Sequence, residues 1–188
     1  MIQGKKVVIR PVQLGDEEIL FKWWNDEKLM AHATYVYGSL QSKEAIRGSI
    51  ENQVNNPEIY PSDKRFIILK KDGMVPIGEM NYCDWDPRNQ KSEFGIKICE
   101  IDEQGKGYGK DALVHFIDFM FKFLNLHKIE LTTMKDNKRA QSLYEAIGFK
   151  VIGIVRDGIF DSRMGEFSDV VYMDLLKSEW KKVRERLL

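Results

Sequence analysis

The sequence predicts a mixed α/β domain, and three observations predict it. Short apolar runs of strand character lie at both ends of the chain. Two stretches after residue 106 carry apolar residues at steps of three and four, the helical period. A glycine-rich loop joins a strand to the first of those helices, an arrangement common in α/β domains.

The elements follow in order. KKVVIRPV (5–12) has the composition of an opening strand. Leu14 to Asn25 is predicted as a helix ending near the WWND cluster, and a second helix runs from Ser42 to about Val54, with Ser42 and Glu44 suited to its first turn. NNPEIYPSD (55–63) is a loop. RFIILKK (65–71), a turn at Asp72-Gly73 and PIGEMNYCDWD (76–86) form a hairpin signal, followed by a turn at DPRNQ and the strand SEFGIKI (92–98). A helix is expected from about Gly107 to Leu124, with Leu113, Phe116, Ile117, Met120 and Leu124 on its apolar face. Asp111, His115, Asp118 and Lys122 form the opposite stripe. KIELTTM (128–134) is a strand, Asn137 suits the N-cap of the next helix, and Gly148 suits its end. FKVIGIVRDGIF and GEFSDVVYMDLL make two final strands before a basic helical tail, 177–188. The order β-α-α-β-β-β-α-β-α-β-β fits one domain over residues 1–188.

Composition excludes several function classes. Lys plus Arg and Asp plus Glu both total 29, which argues against a nucleic-acid binder working by bulk charge. No stretch approaches the length of a membrane span, and MIQGKKVVIRPV lacks a signal-peptide apolar run. Cys83 and Cys99 match no metal spacing and make no disulfide framework, so a cytoplasmic setting is expected. The charge balance gives no indication of oligomeric state.

The informative stretch is EIDEQGKGYGKDAL (100–113). A phosphate loop of the G-x-x-x-x-G-K-[ST] type needs glycine at position 104 and Ser or Thr at 111, but these are Gln104 and Asp111. The dinucleotide fingerprint is nominally met by Gly107, Gly109 and Ala112, with Glu130 as the downstream acid. Its first glycine should follow the strand almost directly, yet Cys99 to Lys106 intervene and no second mononucleotide half follows. A third pattern, [QR]-x-x-G-x-[GA], is met by Gln104-Gly105-Lys106-Gly107-Tyr108-Gly109.

On that motif, together with NKRAQSLYEAIGFKVIG, WWND and the element order, the chain resembles the GNAT superfamily of acetyl-CoA-dependent N-acetyltransferases. Within it the chain resembles the spermidine and ribosomal-protein N-terminal acetyltransferase branch. The resemblance spans nearly the whole chain and implies a mixed β-sheet flanked by helices, with acetyl-CoA as co-substrate and no metal. It assigns Gln104, Gly105, Lys106, Gly107, Tyr108, Gly109 and Lys110 to the pyrophosphate. The physics suits this assignment: glycines let backbone N–H groups approach, the following helix adds its dipole, and Lys106 and Lys110 add charge. Ile96, Lys97 and Ile98 would pair with pantetheine like an added strand, with a backbone N–H near Ile98 polarising the carbonyl. Asn137 would touch the pantetheine or a phosphate.

Acetyl transfer to an amine needs an acceptor for the amine proton and a donor for the departing thiolate. The resemblance places Glu93, eleven residues before Gln104, as the base; a strand-end glutamate facing water is the plainer alternative. Tyr144, in N-x-x-A-x-x-x-Y-x-x-x-G-F, matches the general acid, although it shares an apolar face with Leu143 and Ile147. His32, His115 and His127 have no partner spacing for a metal or a nucleophile triad, and Cys99 fits a buried position. The KKVRER tail fits a solvated helix face. Acceptor contacts are expected from 23–37 and 155–168, with Glu27, Asp84, Asp86, Asp157, Asp161 and Glu166 steering a cationic amine. The acceptor is then a small amine or polyamine such as spermidine, or a protein N-terminus. A non-catalytic acyl-CoA-binding module is the reading from a different class.

Overall fold

The computed structural model describes residues 1–31 and 36–188. Its strands are β1 (Ile2–Gln3), β2 (Val7–Pro11), β3 (Lys64–Lys70), β4 (Pro76–Asp86), β5 (Lys91–Ile98), β6 (Lys128–Met134), β7 (Lys150–Asp161) and β8 (Glu166–Leu176). The helices are α1 (Glu17–Trp24), α2 (Glu27–Met30), α3 (Lys43–Val54), α4 (Tyr108–Phe123), α5 (Lys138–Ile147) and α6 (Lys177–Leu187). The mixed α/β expectation holds, with two additions: the two-residue β1 and the four-residue α2 are too short to leave a periodic signal. His32 lies outside the described residues, as does part of the 23–37 segment.

One sheet runs in the order β1-β2-β3-β4-β5-β6-β8-β7, antiparallel except for β5 beside β6. Alternation along each strand sends neighbouring side chains to opposite faces, so the sheet carries two cores. Val7, Ile9, Phe66, Ile68, Met80, Tyr82 and Phe94 pack against α4 on one face. Val8, Ile67 and Leu69 pack against Trp23 and Trp24 of α1, Leu29 of α2 and Ile46 of α3 on the other.

Helix α4 presents its predicted apolar stripe to the first core. Leu113, Phe116, Ile117 and Met120 are all fully buried there, each contributing about 1.5–3 kcal/mol by transfer from water. Its polar stripe is not a solvent face. Asp111 accepts backbone N–H bonds from Lys5, Lys6 and Val7 at 3.1, 2.8 and 3.1 Å, fixing the amino-terminal turn to the helix. Asp118 accepts from the Trp180 indole at 3.2 Å and pairs with Arg184. Together these neighbours hold the Asp118 carboxyl below its ordinary value against the opposing effect of burial.

The carboxy-terminal tail is a helix docked through Trp180 and Arg184, while Lys181, Lys182, Glu185 and Arg186 of KKVRER stay exposed as expected. Trp180 is buried and stacks on Phe121 at 6.3 Å between ring centroids.

Candidate active site

Strands β5 and β6 pair over only three rungs, Lys91–Lys128, Ser92–Ile129 and Glu93–Glu130. Beyond Glu93 they part, and residues 94–98 of β5 have no ladder partner on that side. Because the two strands are parallel, the helices that follow them, α4 and α5, both begin at the open end. Helix N-termini carry unpaired N–H donors and a positive dipole end, a setting for an anion.

The glycine loop supplies most of those donors. Among the described residues, the backbone N–H groups of residues 105–110 donate to no backbone acceptor, and the first closed turn begins with Asp111 N–H to the Gly107 carbonyl at 3.0 Å. Gly105 and Gly107 have φ of 78° and 87°, the left-handed region that a side chain disfavours. Six consecutive free donors at a helix start suit a pyrophosphate.

The loop is braced by side chains that the sequence assigned to the ligand. Gln104 donates its Nε2 to the Ile98 carbonyl at 2.9 Å, tying the loop back onto β5. Lys106 pairs with Glu103 at 3.1 Å, and its carbonyl accepts from Lys6 Nζ at 2.9 Å. Glu103 also accepts from Lys70, and the two lysines hold its carboxyl below the ordinary range. Lys110 and the free backbone donors of residues 105–110 remain uncommitted, with Gly105, Lys106, Gly107 and Lys110 exposed.

Ile96, Lys97 and Ile98 lie along the unpaired edge of β5, leading to the loop. Asn137 caps α5 as expected, its Oδ1 accepting from Ala140 N–H at 3.2 Å. Lys97 also has work elsewhere: its ammonium reaches Met30 Sδ at 2.8 Å and lies 3.7 Å from Glu79.

The two chemistry candidates fall on opposite faces of the sheet. Phe94 belongs to the α4 core and stands edge-on to Tyr144 of α5, with centroids 6.0 Å apart. Burial pushes the Tyr144 phenol above its usual value, and its hydroxyl makes no hydrogen bond among the described residues. One residue earlier, Glu93 projects to the α1–α3 face. It is half-buried; burial raises its pKa, with Asp84 and Glu130 adding to the rise and Lys91 opposing it.

Several expected acceptor contacts are committed to the fold instead. Trp23 and Trp24 are buried, donating their indole N–H groups to Glu100 and Glu79, both at 2.8 Å. Arg65 stacks over Trp24 at 4.4 Å and donates to Glu79 at 2.6 Å. Asp86 caps its own turn through the N–H groups of Arg88 and Asn89. Asp161 is buried and paired with Arg163.

Cys99 is buried, and burial pushes its thiol up, so it stays an inert packing residue. His115 is held by Asp111 in α4. Among the described residues, no group of three or more His, Cys, Asp or Glu is arranged to hold a metal ion. No described helix is long and apolar enough to cross a membrane.

Comparison with known proteins decides the family. Residues 6–150 match the model of the acetyltransferase (GNAT) domain. The chain belongs to the GNAT acetyltransferase family. It is thus an acetyl-CoA-dependent N-acetyltransferase.

This acetyltransferase is 28% identical over 183 residues to a spermidine N(1)-acetyltransferase of Vibrio cholerae, covering 94% of this chain and 96% of that one. It is 32% identical over 113 residues, 60% of each chain, to YdaF of Bacillus subtilis, named as a ribosomal N-acetyltransferase. In fold it matches the Vibrio cholerae spermidine N-acetyltransferase crystallised with CoA and spermine, with a TM-score of 0.83 at 24% identity, over 94% of this chain and 98% of that one.

Proposed function

We propose that this acetyltransferase moves the acetyl group of acetyl-CoA onto a primary amine, a small amine or polyamine such as spermidine, by direct attack in a ternary complex. The observation that carries the reading is the parting of β5 from β6, with Glu93 on one face and Tyr144 on the other. A thioester reaching that gap from the α4–α5 side meets an amine arriving from the α1–α3 side. Residues 1–188 act as one N-acetyltransferase domain in this reading, working on amines of the cytoplasm.

Each group has a definite proton task. Glu93, directly or through water, takes a proton from the incoming ammonium or from the attacking nitrogen, and its raised pKa suits it to hold that proton. The C–N bond forms as the C–S bond breaks. Tyr144, kept protonated by burial, donates to the departing sulfur. A backbone N–H near Ile98 polarises the thioester carbonyl. The 105–110 amides with Lys106 and Lys110 hold the pyrophosphate, Gln104 braces their loop, Ile96 and Lys97 line the pantetheine with Ile98, and Asn137 borders it.

A second acceptor reading, a protein N-terminus, draws on the local commitment of Asp86 and Asp161. With those two carboxylates engaged, the acidic set left to attract a polycation is smaller than the sequence implies. Acetylation of spermidine against peptides bearing free N-termini, followed by mass spectrometry, separates the two. Acetylated spermidine supports the polyamine reading, and acetylation of peptides alone supports the other.

A further inference from the structure

The row of residues that crosses the sheet just beyond the last β5–β6 rung contains a polar group with no assigned task. Arg65 of β3 pairs with Asn81 of β4, and Asn81 pairs with Gly95 of β5. Alternation places Asn81 on the α1–α3 face, between Glu79 and Cys83 on its own strand. Glu79 binds Trp24 of α1 on that face, and Glu93, the partner of Cys83, shares it.

Gly95 lies where β5 has already left β6, so the sheet there lacks both a neighbouring strand and a side chain. The Asn81 carboxamide lies across this bare position: a Cβ built on Gly95 would meet Asn81 Oδ1 at 2.7 Å, closer than real side chains approach. The charged groups around it are paired, while Arg65 Nε, across the β3–β4 pair, is buried without a hydrogen-bond partner among the described residues. Glu79 accepts from Trp24 and Arg65, and Lys97 reaches Met30 and Glu79. The Asn81 amide makes no hydrogen bond among the described residues, and it is half-buried. Its polar atoms are not among the buried unpaired ones, so they are open to solvent and available to a bound group.

We propose that Asn81 binds the acceptor amine. Its Oδ1 accepts one N–H of the attacking nitrogen above Gly95, while Glu93, diagonal to it across the β4–β5 pair, takes another proton. Two acceptors on one nitrogen orient its lone pair into the gap, toward the thioester. Gly95 is then required on geometric grounds, because a methyl group at that position would displace the carboxamide. Asn81 touches the substrate without entering the proton inventory, so it affects acceptor binding and alignment rather than the ionisation that limits the rate. This inference rests on the acetyl-transfer reading and goes further by naming a contact on the acceptor side.

The test uses the full-length protein, acetyl-CoA and whichever of spermidine or an N-terminal peptide it acetylates. Asn81→Ala and Gly95→Ala are each compared with wild type for acceptor kcat/KM, acetyl-CoA KM, the pH profile and the melting temperature. Expected for both is a loss of about tenfold in acceptor kcat/KM, the worth of one hydrogen bond to the amine. The acetyl-CoA KM and the acidic limb set by Glu93 stay in place, and the Asn81→Ala melting temperature is nearly unchanged. Asn81→Asp, which keeps the acceptor oxygen, retains more acceptor binding than Asn81→Ala. An unchanged acceptor kcat/KM in Asn81→Ala overturns the proposal, as does a loss shared equally by donor and acceptor. A wild type that acetylates no amine at all removes the acetyl-transfer reading itself, a separate and recognisable failure.

Discussion

The ring of Tyr144 meets that of Phe94 edge-on, with centroids 6.0 Å apart and planes at 81°, while Glu93 beside it projects from the opposite face of β5. Two neighbouring residues of one strand thus contact the two sides of a single opening. An acid for the leaving thiolate and a base for the amine can act on one thioester without competing for space.

Tyr144→Phe removes only a hydroxyl that has no hydrogen-bond partner among the described residues. Fold stability should therefore change little, while kcat falls by about a hundredfold or more if the group is the general acid. Steady-state kinetics with CoA-thiol detection, alongside a melting curve, checks both halves. An unchanged kcat would leave Tyr144 as a packing residue.

Glu93 sets a pH signature. Its pKa is raised by burial and by Asp84 and Glu130, so the acidic limb of kcat/KM should lie above the ordinary carboxylate range. The stability sign is opposite to that of a salt-bridged acid. A raised carboxyl favours the fold while protonated, below its unfolded pKa, and that contribution is lost as pH rises through the folded value. Glu93→Gln should abolish the acidic limb and lower turnover, yet melt slightly higher than wild type near pH 7. A lower melting temperature there would contradict the assigned burial.

The loop prediction concerns Gly107, whose φ of 87° opens α4. Gly107→Ala forces a side chain into the left-handed region at a cost of about 1–2 kcal/mol. CoA binding should weaken with it, because the free N–H groups that follow lose their alignment. Calorimetric titration with CoA measures this, and full retention of affinity would show that the cradle does not depend on that conformation.

Asp111→Ala removes the acceptor for three backbone N–H groups at once. Buried or half-buried donors left unpaired cost about 1–3 kcal/mol each, with partial recovery by water at this exposed turn. The melting temperature should fall by several degrees, and hydrogen exchange should quicken at Lys5, Lys6 and Val7. Unchanged exchange at those three amides would refute the anchoring role.

Strands β4 and β6 were legible in the sequence to the residue, β4 because Pro76 and Asp86 bound it and β6 because Ile129 and Leu131 alternate inward along it. The glycine loop was legible as well, since its residues are local in sequence. What sequence reading missed is long-range. The role of Asp111 depends on residues 104 to 106 positions away. Likewise, WWND looked like acceptor-site chemistry, but the buried carboxylate of Glu79 that holds Trp24 lies 55 positions off. The Asn81–Gly95 approach has no local signal, since the bare position arises only from where β5 leaves β6.

In the proposed reaction an acetyl group passes from CoA to an amine through the β5–β6 opening. The most direct measurement is release of free CoA thiol from acetyl-CoA with and without spermidine and peptide N-termini, with the acetylated product identified by mass spectrometry. Acceptor-dependent release is expected, matched one-to-one by an N-acetylated amine and lost together in Tyr144→Phe and Glu93→Gln. Tight CoA binding with no acceptor-dependent release and no acetylated product would contradict it.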